Sequence, residues 1–251
     1  MAGVEGRVSL ITGAGRGIGR VTADILASRG ARVMVAARSE QELQATGHEY
    51  SVADLGTVEG CATAISETEQ RLGPIDILVC NHGIGSAHEK VVWEQDPNLW
   101  DETMRINLDG PFHLSRLILT GMIERQYGRI VYTSSTAGLV AEYAGSAYTS
   151  SKHGLIGLMR SVALDAGPFG ITSNAVLPGW VRTEMAERSA RQEAKDRSIA
   201  TDQVWEERDA MYPPGRVPTA QEVAEMIAFL ASEEASGVSG QAIKIALGSE
   251  V

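Results

Sequence analysis

Cysteine is nearly absent from this chain: Cys61 and Cys80 are the two among 251 residues. Two thiols with no metal-ligand spacing build neither a zinc site nor a disulfide framework, and they point to a reducing cytoplasm with no metal centre. Long hydrophobic runs are also lacking. No eighteen consecutive apolar residues occur that could form a bilayer-spanning helix. No charged segment followed by an apolar core precedes Val8, so a secretory signal is not expected. Basic residues are in deficit, with Lys and Arg numbering 22 against 32 Asp and Glu, for a net charge of −10. An acidic surface argues against nucleic acid or an anionic membrane as partner, though not against a local basic pocket for one phosphate. Prolines number 8 and glycines 27, a balance that supplies turns and close packing. Repeats, low-complexity segments and linkers are missing, so a single domain is expected.

What is present alternates between strand and helix. An apolar strand over Arg7–Ile11 runs into Thr12-Gly13-Ala14-Gly15-Arg16-Gly17-Ile18-Gly19. A helical pattern follows and stops at Arg29-Gly30, and a second strand spans Ala31–Ala37. Strand, glycine turn, helix and strand make a βαβ unit. Its glycines let the backbone approach a pyrophosphate, which sits among free N–H groups at the helix start. A brief helix is expected between Ser39 and Glu49, and further strands over Tyr50–Ala53, Ile75–Cys80, Ile130–Thr133, Ile171–Leu177 and Gly240–Ala246. Helices are expected over Val58–Leu72, from Leu99 through Leu119, from Tyr148 through Leu164, and from the capping box at Thr219 to Leu230. Gly85–Asn98 reads as irregular. This alternation predicts an α/β fold: a Rossmann-like doubly wound parallel sheet flanked by helices.

Chemistry concentrates at the strands' carboxyl ends. Tyr148 and Lys152 are four apart, so a helix places them on one face, where the ammonium is expected to lower the phenol's pKa. Ser134 and Ser135 end the fifth strand. At the tip of the second strand Arg38 stands where an acid would bind an NAD ribose; with Arg16 it favours NADP(H) over NAD(H), by tenfold or more. Asp54 is expected either to bond the adenine amino group or to cap the following helix. Asn107 is a polar residue within an apolar helix and needs partners. Polar residues 184–215, anchored by Val204 and Trp205, read as a lid over the site.

Together these motifs resemble the short-chain dehydrogenase/reductase family, in its compact form and similar to its 3-oxoacyl reductase-like members. The resemblance rests on Thr12-Gly13-x3-Gly17-Ile18-Gly19, Asn81-x-Gly83, Asn107, Ser135, Tyr148-x3-Lys152 and Pro178-Gly179-x3-Thr183. It implies hydride exchange between a nicotinamide and a carbonyl or secondary alcohol of a small molecule. By the same match, Tyr148 is the general acid or base, Lys152 tunes it, Ser135 donates to the substrate oxygen, and Asn107 holds a relay water. Gly13, Arg16, Gly17, Ile18, Gly19, Arg38, Asp54, Leu55, Asn81, Gly83, Tyr148, Lys152, Pro178, Gly179, Val181 and Thr183 would hold the cofactor. Ala137, Val140, Glu142, Tyr143, Trp180 and Trp205 are the expected substrate contacts, with Glu142 read in the first place as a solvated rim charge. A homotetramer or homodimer is implied. His82 replaces the family's usual alanine and is expected to act as filler. The Asp-Gly-Gly pattern common at the last strand is replaced by Ala246-Leu247-Gly248-Ser249. Competing readings are a nucleotide sensor or scaffold that lost its chemistry, and an epimerase or lyase using the cofactor transiently.

Overall fold

The computed structural model describes residues 3–86 and 89–249. Seven parallel strands form one sheet in the order β3-β2-β1-β4-β5-β6-β7. They are β1 (Val8–Thr12), β2 (Arg32–Ala37), β3 (Glu49–Val52), β4 (Ile77–Cys80), β5 (Gly128–Thr133), β6 (Ile171–Pro178) and β7 (Ala242–Ile245). Strand order reverses between β1 and β4, and open α/β sheets bind ligands at such a switch point, beyond the carboxyl ends. Both faces of the sheet are covered, so its central strands β1, β4 and β5 are buried along their whole length. Leu10 and Ile130 point to one face and Ile11 and Val131 to the other, each set in its own core.

The helices are α1 (Gly17–Ser28), α2 (Glu40–Gln44), α3 (Val58–Leu72), α4 (Pro97–Met104), α5 (Gly110–Arg125), α6 (Ser146–Ala166), α7 (Glu184–Arg197), α8 (Thr201–Ala210) and α9 (Ala220–Leu230). One core packs α3, α5 and α6 through Ile65, Leu114 and Leu155. The other packs α1 and α9 through Leu26 and Ile227. α9 opens with the expected capping box between Thr219 and Glu222. α7 and α8 form a helical hairpin with a third cluster of its own, around Ala190, Val204 and Trp205.

Two expectations are corrected. The helix expected to run unbroken from Leu99 through Leu119 is divided: α4 and α5 are joined by a π-turn over Arg105–Asp109. Pro111 brings no N–H to the ladder, and Asn107 turns inward to bond the backbone of Ile84, so the helix bulges there. Along it Ile106, Leu114 and Ile118 are buried, whereas Phe112 is 45% exposed. The fourth strand begins at Ile77 rather than Ile75, because the Asp76 backbone donates to Val8 and accepts from Arg129 outside the ladder. Of the irregular Gly85–Asn98 stretch, residues 87 and 88 lie outside the described residues.

Candidate active site

The glycine turn is shaped for close approach. Gly13 and Gly17 adopt φ of +63° and +58°, the left-handed region that costs any other residue strain. A Cβ on Gly19 would lie 2.5 Å from Asn81 Nδ2 and 2.6 Å from the Gly13 carbonyl. Arg16 is the N-cap of α1, makes no side-chain cap bond, and no acid occupies the first turn. The first N–H groups of α1 are therefore left for an anion, with the helix dipole behind them. This cradle fits a dinucleotide pyrophosphate. Ile18 packs against the core, and Thr183 approaches the turn from β6's end, with Cγ2 3.4 Å from the place a Gly17 Cβ would take.

A hydroxyl at Thr12 ties the switch point together. Thr12 Oγ1 donates to the Val79 carbonyl at 3.1 Å and receives the Asn81 backbone N–H at 3.0 Å. Asn81 Nδ2 in turn donates to the Gly13 carbonyl at 3.1 Å. His82 Nδ1 lies 2.7 Å from Thr12 Oγ1. Either atom can be the donor in this short contact, which joins His82 to the Thr12 hydroxyl at the switch point. Burial, then the nearby Lys152 charge, push the His82 pKa down to about 3. It stays neutral at working pH, which fits a filler and hydrogen-bonding role rather than a titrating one.

Around the expected adenosine end the correspondence is mixed. Arg38 makes no ion pair among the described residues, and its charge is felt by Asp54. Arg16 is already paired with Glu42 at 2.7 Å and Glu184 at 2.9 Å, an exposed arrangement that a phosphate can displace. Asp54 does not cap α3: Thr57 does, accepting from Gly60. The Asp54 carboxylate instead accepts from the Gly56 N–H and from Arg105. Leu55 is buried in the core, so only its backbone faces the site. Pro178 closes β6, and the Trp180 N–H after Gly179 donates to Tyr212 Oη at 2.7 Å. Val181 is buried beside them.

Tyr148, Ser135, Lys152, Asn107 and Gly83 come together at the ends of β4, β5 and the start of α6. Ser135 Oγ accepts from the Ala137 N–H at 3.1 Å and is near enough to the Tyr148 hydroxyl to draw its pKa down. Lys152 is 5% exposed; its ammonium donates to the Thr133 carbonyl at 3.0 Å and lies 5.6 Å from the Tyr148 ring centre. Asn107 Oδ1 accepts from Ile84 at 2.8 Å, and Nδ2 donates to the Ile84 carbonyl at 2.9 Å and to Ser151 Oγ at 3.1 Å. A Cβ on Gly83 would sit 3.1 Å from Asn107 Oδ1 and 3.6 Å from Lys152 Nζ, so glycine lets the loop pass between them.

One electrostatic expectation fails here. Lysine was expected to lower the tyrosine pKa, yet Tyr148 is pushed up to about 12. Burial is the main cause; Ser135 opposes it, and Glu142 and Glu89 add to it. The ammonium points at Thr133 instead of the phenol, and burial pushes Lys152 itself down to about 8.

On the substrate side Ala137 is buried, Val140 is 38% exposed and Tyr143 is 91% exposed at the rim. Trp180 is half-buried beneath the Arg208 guanidinium, 3.6 Å from its ring centre. Trp205 is a correction: at 2% exposure it packs the α7–α8 hairpin and has no surface to offer a substrate. Glu142 is another. It is half-buried, and burial, then Glu89, raise its carboxyl above the ordinary range, so it is not a solvated rim charge. Glu89 was not singled out from the sequence at all. Its carboxylate accepts from the Tyr148 backbone N–H at 2.7 Å and the Ala147 N–H at 2.8 Å, capping α6 at the tyrosine itself. No motif announces it, because the cap comes from a loop 59 residues away.

Residues 13–250 match a family profile described as enoyl-(acyl carrier protein) reductase. The 3-oxoacyl-[acyl-carrier-protein] reductase of Escherichia coli is 33% identical over 250 residues, covering 96% of each chain. A D-beta-hydroxybutyrate dehydrogenase of Cupriavidus necator is 34% identical over 247 residues, covering 94% of this chain and 95% of that one. Among solved structures, levodione reductase superposes with a TM-score of 0.92 at 32% identity, covering 97% of both chains. An actinorhodin polyketide ketoreductase solved with NADPH gives 0.92 at 33% identity, covering 96% of both. With the glycine cradle, the switch point and the serine, tyrosine and lysine in place, this chain belongs to the short-chain dehydrogenase/reductase family, whose members exchange hydride between a nicotinamide cofactor and a carbonyl or alcohol.

Proposed function

We propose that this protein is an NADPH-dependent reductase of a small-molecule ketone, also able to run the reverse oxidation. The observation that carries the reading is the meeting of Ser135, Tyr148, Lys152 and Asn107 beside a glycine turn that opens α1. The cofactor supplies the hydride when bound. The turn from Gly13 to Gly19 would hold its pyrophosphate on free N–H groups, and Arg38 with Arg16 would receive the 2′-phosphate. That a related ketoreductase was solved with NADPH supports this preference. Asn81, Gly83, Asp54 and the Leu55 backbone line the adenosine side, and Pro178, Gly179, Val181 and Thr183 the nicotinamide side.

Ser135 Oγ donates to the substrate oxygen and steers it to the tyrosine. A phenol held near 12 keeps its proton at neutral pH and is suited to donating it to a developing alkoxide. Lys152 holds positive charge behind the phenol and replenishes its proton. The Asn107 side chain is fully committed, so a relay water would fall to its main chain. The α7–α8 hairpin covers the site as a lid within the single domain 1–251. Two buried free cysteines support a reducing, cytoplasmic location, and among the described residues no helix is long and apolar enough to cross a membrane. Phe112 on α5 and Leu164 on α6 are exposed, which supports assembly as a homodimer or homotetramer.

The test is NADPH oxidation over a panel of ketones, with Tyr148→Phe as control. Turnover should fall by about 10³-fold or more while NADPH affinity holds. Retained turnover in the variant would remove Tyr148 from its role. Tight cofactor binding without turnover in either direction would favour a sensor.

A further inference from the structure

Two carboxylates flank the start of α6, and they are not equivalent. Glu89 is spent on the backbone, receiving two N–H bonds at 2.7 and 2.8 Å. Glu142 folds back over Gly145, with Oε2 3.5 Å from the place a Gly145 Cβ would occupy. Its backbone is pinned by its own N–H donating to Thr149 Oγ1 at 3.3 Å. Its carboxylate receives one hydrogen bond among the described residues, a long one of 3.5 Å from Ser86 Oγ. Buried acceptors are nearly always bonded, and a carboxylate can take about four donors. Arg208 is near enough for its charge to be felt. It makes no ion pair with Glu142, because its donors go to Glu193, Ser189 and the Ala186 carbonyl. Among the described residues Glu142 is thus a half-buried carboxyl group with one long hydrogen bond. Its N–H is bonded to Thr149, the residue after Tyr148, and its carboxylate meets Ser86 from the loop after β4, so it lies between the two loops that flank the tyrosine.

Resting on the reductase reading, we propose that Glu142 is a specificity-determining residue: it receives a hydroxyl or ammonium group of the substrate, and with Glu89 it excludes substrates whose acyl part carries a negative charge. A donor on the substrate completes the coordination that Ser86 begins. A substrate carboxylate would bring a third negative charge to a half-desolvated space already holding two. The preferred substrate is then a neutral or cationic hydroxy- or amino-ketone. The hydroxybutyrate in the name of one relative would then not carry over to this chain.

The experiment compares kcat/KM for NADPH-driven reduction of ethyl 3-oxobutanoate, ethyl 4-hydroxy-3-oxobutanoate and the 3-oxobutanoate anion. The wild type, Glu142→Gln and Glu142→Leu are measured, with Tyr148→Phe as control. In the wild type the hydroxylated ester should exceed the plain ester by about tenfold, and both should exceed the anion. Glu142→Leu should collapse the hydroxyl preference, mainly through KM. Glu142→Gln should keep part of that preference while bringing the anion at least fivefold closer to the plain ester. Ratios unchanged in both variants would overturn the assignment, as would a wild type that reduces the anion as well as the neutral esters. Should neither variant fold, the wild-type ratios decide alone. If the wild type turns over none of the three, the reductase reading falls and this inference falls with it. Turnover lost in Tyr148→Phe, but with flat ratios, strikes this inference only.

Discussion

Replacing Lys152 by Met should make the cofactor-free protein more stable while abolishing turnover. The ammonium is 5% exposed, donates one bond to the Thr133 carbonyl, and is pushed down by burial to about 8 from an ordinary 10.5. At 1.36 kcal/mol per unit, holding the proton there costs the native state about 3 kcal/mol. Methionine removes that cost and fills similar space. It leaves the Thr133 carbonyl without its partner, a loss of about 1 kcal/mol. The net gain is about 2 kcal/mol, or about 5 °C in Tm for a domain of this size. Its pH dependence has a definite sign. Between pH 8 and 10.5 the unfolded lysine still holds its proton and the native one does not. The unfolded state binds more protons there, so wild-type stability rises with pH through this window and the variant's advantage shrinks. Scanning calorimetry of both proteins at pH 7 and pH 9.5, without cofactor, measures the gap directly. A variant less stable at pH 7, or a gap equal at both values, would refute the account of Lys152 as a buried charge at a cost to the fold.

Further outcomes follow from the cofactor cradle. Gly19→Ala should weaken NADPH binding at least tenfold and destabilise the fold by about 1–3 kcal/mol, because its Cβ would press on Asn81 Nδ2 and the Gly13 carbonyl; NADPH titration by fluorescence and denaturant unfolding read the two effects. Arg38→Ala should lower the NADPH-to-NADH ratio of kcat/KM about tenfold, the value of one charged hydrogen bond; an unchanged ratio would shift the preference to Arg16 or to neither.

Much of the fold was legible because each element is locally consistent. The apolar runs at Val8–Thr12 and Ile130–Thr133 can only be strands buried on both faces, and the glycine turn can only connect a strand to a helix that needs its N-terminus free. The nearness of Tyr148 and Lys152 was legible for the same reason: they are related by one helical turn, and their shared face is a matter of spacing. What escaped depends on approaches between segments far apart in the chain. A π-turn at Asn107 follows from its bonds to Ile84, which no helical period records. The direction of the lysine ammonium is set by the Thr133 carbonyl across the sheet edge, so spacing placed the residue correctly and mistook its electrostatic effect. Trp205 has the composition of a pocket wall but is enclosed by the hairpin's own alanines. Glu89 and Glu142 sit in loops whose sequence reads as polar connection. Their weight comes from meeting at the first turn of α6, where one caps the helix at Tyr148 and the other is left with an open acceptor. On the reading proposed above, the loops would carry what sets this enzyme's substrate apart, while the strand ends would carry the chemistry of the family.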